Sequence, residues 1–211
     1  MADRHPPTEH YFSPEPGVAT HPRNVTIHLP DQSIELRTDR GVFSLAGLDP
    51  GTAVLLQGVP PPPAGALLLD LGCGHGVVAI AMARRAPQAR VIAVDVNSRA
   101  LELTRANATA NGVGKIEVCR PDEVDPQLRF EAIYSNPPIR VGRGPLVELL
   151  TTWLGRLAPG GHAYLVVQRH LGADSLAERL RGLGYEVLRL GSKRGYRLLD
   201  VRDAGPASHD G

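Results

Sequence analysis

Ala66-Leu-Leu-Leu-Asp70-Leu-Gly72-Cys73-Gly74-His75-Gly76-Val77-Val-Ala-Ile80 decides the fold. An apolar run too short for a helix ends at an acidic residue, three alternating glycines follow, and an apolar helix former resumes at once. The pattern predicts a buried strand over Ala66–Leu71, a tight loop, and a helix over Val77–Arg85. A strand, loop and helix in this order open an α/β sheet that binds its ligand at the carboxyl ends of its strands, where the strand order reverses. Without Cβ atoms, Gly72, Gly74 and Gly76 let the backbone turn sharply and approach a ligand closely. A purely structural turn uses the same residues, so the loop alone names no ligand.

Downstream, short apolar runs bounded by turn residues predict strands at Arg90–Asp95, Ile116–Cys119, Ala132–Ser135 and Ala163–Val167. Between them lie predicted helices at Ser98–Asn111, closed by Gly112, and at Leu146–Leu157, after which Pro159-Gly160-Gly161 turns the chain. Trp153 shares helical spacing with Leu149, Leu150 and Leu157 and reads as core. A helix at Ser175–Leu183 precedes strands at Glu186–Leu190 and Tyr196–Val201. The link Gly191-Ser-Lys-Arg-Gly195 leaves no room for a crossover helix, so those two strands pair antiparallel. The expected fold is therefore α/β and Rossmann-like, a mostly parallel seven-stranded sheet whose antiparallel last strand marks class I methyltransferases.

Upstream, Val25–Leu29 and Ser33–Leu36 flank Pro30-Asp31 and predict a β-hairpin, followed by a loop with Gly41-Val-Phe43-Ser44. The Pro60–Pro63 run continues neither a helix nor a central strand and reads as a stiff connector. The expected organisation is a polar tail over 1–16, a hairpin extension and connector over 17–63, the main domain over 64–203 and a disordered tail over 204–211.

The composition is that of a soluble globular chain: 211 residues, 42% hydrophobic and 21% charged. The start is polar, and no apolar run approaches the roughly 20 residues that cross a bilayer, so neither export nor membrane insertion is expected. Cys73 and Cys119 stand in no metal-ligand spacing, so we expect no metal and a reducing, cytoplasmic setting. With a net charge of +1 there is no global field for a polyanion, and any nucleic-acid contact is local. Arg140, Arg143, Arg169, Lys193, Arg194 and Arg197 concentrate in loops and strand ends of the second half, as a phosphate-contacting rim or as solvated surface.

Asp95, 25 positions after Asp70, ends the second strand of the sheet, where an acidic side chain accepts both hydroxyls of a ribose. Dinucleotides and S-adenosylmethionine both carry one. The loop separates them, because Gly-Cys-Gly-His-Gly lacks the Gly-x-Gly-x-x-Gly spacing that prepares a helix N-terminus for pyrophosphate. S-adenosylmethionine is the expected cofactor, with Asp70, Gly72, Cys73, Gly74, Gly76, Asp95, Val96 and Asn97 as its candidate contacts. Asp122, beyond the third strand of the sheet, either takes a hydrogen bond from the adenine amine or is a solvated loop carboxylate.

Ser135-Asn136-Pro137-Pro138-Ile139 follows the fourth strand of the sheet at the same edge as the glycine loop. Two prolines fix φ and remove two donors, so the loop is rigid and presents carbonyls. An amine conjugated with an aromatic ring or a carbonyl is a poor nucleophile because its lone pair is delocalised. If the Asn136 side-chain oxygen and the Pro137 carbonyl accept its two protons, the lone pair turns toward a methyl sulfonium. Such a site works by orientation and electrostatic preorganisation.

Asp70-x-Gly-Cys-Gly-x-Gly76 with Asn136-Pro-Pro resembles the amino-directed class I methyltransferases. Further stretches resemble the RsmC family of small-subunit ribosomal RNA guanine-N2 methyltransferases in its short single-domain form: His10-Tyr-Phe-Ser13, Gly41-Val-Phe-Ser44, Gly47-Leu-Asp49 with Gly51, Asn136-Pro-Pro-Ile-Arg140, Gln168 with Gly172-Ala173, and Lys193-Arg-Gly-Tyr196. Longer RsmC proteins carry a second, duplicated domain in front.

The resemblance implies that Asp70, Gly72, Gly74 and Gly76 hold the methionine end of the cofactor, Asp95 its ribose and Asp122 its adenine. Asn136 and Pro137 would take the target amine. Many amino methyltransferases place an aromatic residue at the Ile139 position to stack on the acceptor ring; Ile139 offers only apolar contact. Phe43 and Tyr196 are the candidates for holding the base, with Arg140, Arg143, Lys193 and Arg194 toward the RNA. The implied partner is ribosomal RNA or the small ribosomal subunit, met by a monomer or weak homodimer. Two alternatives stand beside this reading: an N-methyltransferase of a protein glutamine, and a silent methyltransferase-like RNA-binding module.

Overall fold

The computed structural model describes residues 19, 21–42, 48–137 and 142–205. The expected tail over 1–16, residues 206–211, and the candidates Phe43, Pro138, Ile139 and Arg140 lie outside them, as does the side chain of Arg143.

Two strands, β1 (Arg23–His28) and β2 (Ser33–Thr38), pair as an antiparallel hairpin, as expected. Seven more, β3 (Leu67–Leu71), β4 (Arg90–Val94), β5 (Glu117–Cys119), β6 (Phe130–Ser135), β7 (Leu157–Gln168), β8 (Tyr185–Lys193) and β9 (Tyr196–Asp203), form one sheet in the order β5-β4-β3-β6-β7-β9-β8. The first five run parallel, and β9 lies antiparallel between β7 and β8. This is the Rossmann-like methyltransferase topology expected from the sequence.

Alternate residues of the buried strands feed opposite faces. Leu68, Ala93, Tyr134 and Val166 join one hydrophobic cluster with helices α1 (Pro50–Gly58), α2 (Val77–Arg85) and α3 (Ser98–Ala110). Leu69, Ile92, Ile133 and Leu165 join the other, with α4 (Arg143–Leu154) and α5 (Ala173–Gly182). Trp153 belongs to this second core, 4% exposed and 6.3 Å from the Phe130 ring.

Two boundaries differ from expectation. Leu157, read as the end of a helix, already pairs with Phe130 in β7. Pro159-Gly160-Gly161 is then absorbed as an irregularity in the pairing, and a Cβ on Gly161 would lie 2.7 Å from the Phe130 carbonyl. The link between β8 and β9 shrinks to Arg194-Gly195, both at positive φ (52° and 81°), the geometry of a two-residue type I′ hairpin turn.

Helix α1 was not expected at all. Asp49 caps it, accepting the Thr52 N–H at 2.9 Å, and Pro50 supplies a preset φ in the first turn. Val54, Leu55 and Leu56 are buried in the first cluster together with Ile34 and Leu36 of the hairpin.

The hairpin is fastened by two asparagines. Asn107 on α3 exchanges two hydrogen bonds with the Arg37 backbone (2.8 and 2.9 Å), and Asn111 exchanges two with Glu35 (3.2 and 2.6 Å). Four helical residues rise about 6 Å and two strand residues about 6.8 Å, so a pair of carboxamides one turn apart can serve as a ladder for a strand edge.

Candidate active site

The register of the sheet assembles the site. Leu71 lies opposite Val94 on one side and Ser135 on the other, so Gly72, Asp95 and Asn136 leave three adjacent strands side by side at the carboxyl edge. The Ser135 hydroxyl donates to the Leu71 carbonyl at 2.8 Å and pins the start of the Asn-Pro loop to the glycine loop.

The glycine loop and the strand end beside it use up four of the loop's own donors. The N–H groups of Gly72 and Cys73 both donate to the Val94 carbonyl (2.9 Å each), Gly74 N–H donates to Asp95 Oδ2 (3.0 Å) and Gly76 N–H to the Cys73 carbonyl (2.8 Å). At the start of α2 the Asp70 carboxylate takes the Ala79 N–H at 2.9 Å. A negative group already occupies that helix N-terminus, where a pyrophosphate would otherwise bind. The glycines divide in role. Gly72 (φ +80) has open space where its Cβ would stand, while a Cβ on Gly76 (φ +87) would meet Thr104 at 2.9 Å, so Gly76 serves the packing of α2 against α3.

Burial pushes the Asp70 carboxyl up to about 7, opposed by the Ala79 N–H and helped by the charge of nearby Asp95. Burial also raises Asp95, against the N–H groups of Asn97, Gly74 and Val96. None of the ion pairs among the described residues involves Asp49, Asp70 or Asp95. Asp70 and Asp95, two neighbouring carboxylates drawn out of water, favour a cationic ligand and disfavour a dianionic one. Burial raises the Cys73 thiol well above its ordinary value, with Sγ 3.4 Å from Thr104 Oγ1, so this sulfur is no thiolate nucleophile. His75, 5% exposed, is held at about 4 by burial against the pull of Asp49, and its ring is neutral at physiological pH.

Other candidates are placed as follows. Asn97 caps α3 through Oδ1, and its Nδ2 donates to the Gly41 carbonyl at 2.9 Å, so its amide is taken up in holding the loop after the hairpin. The Val96 carbonyl accepts from Arg120 (3.1 Å). Asp122 sits in a short turn after β5 with its side chain exposed and 3.6 Å from Arg120. Tyr196 does not stand free. Its hydroxyl accepts from Gln168 Nε2 at 2.8 Å and its ring lies against Gly51. Lys193 Nζ donates to Gln57 at 3.3 Å, and Arg197 is bound to Ser192 (2.7 Å) and Asp174 (3.3 Å). Arg194 and Arg169 are exposed, and the Arg169 N–H donates to the Gly195 carbonyl. Because β9 runs against β7, this turn falls on the same edge of the sheet as Asn136.

Asn136 is gripped from one side. Its Nδ2 donates to Asp49 Oδ2 (2.7 Å) and to Thr52 Oγ1 (3.0 Å), while no described donor bonds to its Oδ1 or to the carbonyl of the buried Pro137. Asp49 and Thr52 are neighbours of Asn136 to which the sequence motifs assign no role. The available signal was Asp49-Pro50 before the apolar Ala53–Leu56, a helix start.

Residues 33–200 match the family model of the methyltransferase small domain. The chain belongs to that family. Methyltransferase small domain proteins are S-adenosylmethionine-dependent, so the expected cofactor class and the fold agree. An uncharacterized Bacillus subtilis protein, YbxB, is 30% identical over 198 residues, covering 92% of this chain and 98% of its own. The ribosomal RNA small subunit methyltransferase C of Stutzerimonas stutzeri is 36% identical over 173 residues, covering 74% of this chain and 52% of its own, so the chain spans about half the length of that relative. Among solved structures, the Thermus thermophilus 16S rRNA N2 methyltransferase RsmC, in complex with AdoMet and guanosine, superposes with a TM-score of 0.74 at 23% identity, over 89% of this chain and 52% of its own. No helix among the described residues is long and apolar enough to cross a membrane.

Proposed function

We propose that this chain transfers a methyl group from S-adenosylmethionine to the exocyclic N2 amine of a guanine in small-subunit ribosomal RNA. The observation that carries the reading is the one-sided grip on Asn136, which spends both amide protons on Asp49 and Thr52 and leaves Oδ1 and the Pro137 carbonyl as bare acceptors beside the glycine loop.

The residues present fit the cofactor. Asp70 and Asp95 are carboxylates without a described cationic partner, the N–H groups of all three loop glycines are already committed, and Gly72 faces open space. Asp70 with the backbone of Gly72–Gly74 would hold the methionine end, Asp95 the ribose, and Asp122 the adenine after turning in from solvent. When bound, S-adenosylmethionine supplies an electrophilic methyl on a sulfonium. Asn136 Oδ1 and the Pro137 carbonyl take the two protons of the target amine and hold its lone pair out of the ring plane. The methyl would pass to the amine nitrogen at the expense of its bond to sulfur, and one of the two amine protons accepted by Asn136 and Pro137 would then be lost to solvent. Orientation is the protein's contribution.

RNA as the acceptor rests on the relatives named ribosomal RNA small subunit methyltransferase C. The exposed Arg169, Lys193 and Arg194, on the same sheet edge as Asn136, support it as phosphate contacts. The test is transfer of labelled methyl groups to free small-subunit RNA, isolated small subunits and total protein, followed by nucleoside analysis. Label recovered as N2-methylguanosine is the expected result; label confined to protein overturns the reading.

A further inference from the structure

We infer that Asp49 and Thr52, supplied by the start of α1, are positioning residues that fix which way the Asn136 carboxamide faces; the inference deepens the proposed amine-methylating site and rests on that reading. A carboxamide presents an NH2 on one side and an oxygen on the other, and its catalytic use depends on the oxygen facing the acceptor. A carboxylate can only accept. With Asp49 Oδ2 at 2.7 Å, the flipped amide would set oxygen against oxygen, so the NH2 must face α1.

Thr52 reinforces the choice. Its hydroxyl lies 3.4 Å from Asp49 Oδ2 and gives its proton there, which turns an oxygen lone pair toward Asn136 Nδ2 at 3.0 Å. Both amide protons are then consumed on the α1 side, and Oδ1 points the other way. Thr52 is 6% exposed, and its own N–H donates to the same Asp49 oxygen at 2.9 Å, so the helix cap and the grip on Asn136 are one constellation.

The cap is itself braced. A Cβ on Gly51 would stand 2.7 Å from the Tyr196 ring and 2.9 Å from Asp49 Oδ2, so the bare glycine lets Tyr196 pack against the first turn of α1. Gln168 holds that tyrosine by its hydroxyl at 2.8 Å. The neutral His75 ring beside Asp49 brings no competing positive charge.

The test separates positioning from folding by keeping the cap. Asp49→Ser retains a good N-cap but is too short to reach Asn136, and Thr52→Val removes one acceptor without changing shape. On small subunits we expect Asp49→Ser to lower kcat about 10- to 100-fold with affinity for S-adenosylhomocysteine within about threefold, and Thr52→Val to lower it about fivefold. Asp49→Asn, which keeps an acceptor oxygen, should recover part of the loss. In an Asn136→Ala background, Asp49→Ser should change kcat less than about twofold, because the group it orients is gone.

A kcat within twofold of wild type in Asp49→Ser while Asn136→Ala is crippled overturns the inference and leaves the proposed function standing. Equal losses from Asp49→Ser in both backgrounds overturn it too. If the wild type methylates no RNA, the proposed function fails instead, and nitrogen-proton NMR still judges the orientation. The Asn136 side-chain amide, assigned by its disappearance in Asn136→Ala, should be shifted and slow to exchange in the wild type and ordinary in Asp49→Ser. A signal indifferent to Asp49→Ser overturns the inference.

Discussion

The two halves of the site are built on opposite economies of hydrogen bonding. On the β3–β4 side, the three loop glycines have their N–H groups satisfied and the carboxylates have no described cationic partners, so that half is deficient in positive charge. On the β6 side, Asn136 has its donors satisfied from α1 and leaves acceptors over, so that half is deficient in protons. One half suits a cationic cofactor and the other a neutral NH2 group. A shared sheet edge does not prescribe one chemistry; the unspent valences at each strand end do.

The largest expected effect falls on the acceptor half. Asn136→Ala should lower kcat by about two to three orders of magnitude, with S-adenosylhomocysteine affinity largely kept in calorimetry. Loss of cofactor affinity in proportion to rate would merge the two halves and break the comparison.

Asp70→Asn should do the reverse, weakening cofactor binding while stabilising the free protein. The folded carboxyl, raised to about 7 from an ordinary value of 3.8, contributes stability below about 3.8 that is lost as pH rises through 7. An asparagine still accepts the Ala79 N–H but escapes that loss. Chemical unfolding at pH 8 should therefore show a gain of about 2–4 kcal/mol, shrinking steadily as pH falls toward 4. A gain that grows at low pH would contradict the assigned burial.

Gly76→Ala should cost about 2–3 kcal/mol in urea unfolding, since both its positive φ and the 2.9 Å approach of Thr104 resist a methyl group. Gly72→Ala strains φ alone, so its stability cost should be smaller and its effect on cofactor affinity larger. The smallest effect should come from Arg194→Ala, which should weaken RNA binding severalfold and reduce the slope of log affinity against log salt by about one, with cofactor affinity unchanged.

Legibility in the sequence follows the same division. The glycine loop, Asp95 and the antiparallel ending could be read because each is a local pattern with a local cause: alternating glycines at positive φ, an acidic strand end, a link too short to cross over. Asn136 was legible as a motif, but not what holds it, because Asp49 is 87 positions away and its two roles meet only once α1 has packed. Asn107 and Asn111 read as ordinary helix residues, since docking a strand edge leaves no periodic trace. Tyr196 is a candidate for holding the base on sequence grounds; the fold adds that its hydroxyl is bonded to Gln168 and its ring rests on Gly51, contacts that link positions far apart in the chain.

The most direct measurement is a crystal structure with S-adenosylhomocysteine and guanosine bound. The expected geometry has Asn136 Oδ1 about 2.6–3.2 Å from the guanine N2, with the amide NH2 still on Asp49 and the sulfur on the far side of the amine. An Asn136 whose NH2 has turned from Asp49 toward the base, or a base bound away from the Asn136–Pro137 carbonyls, would contradict it.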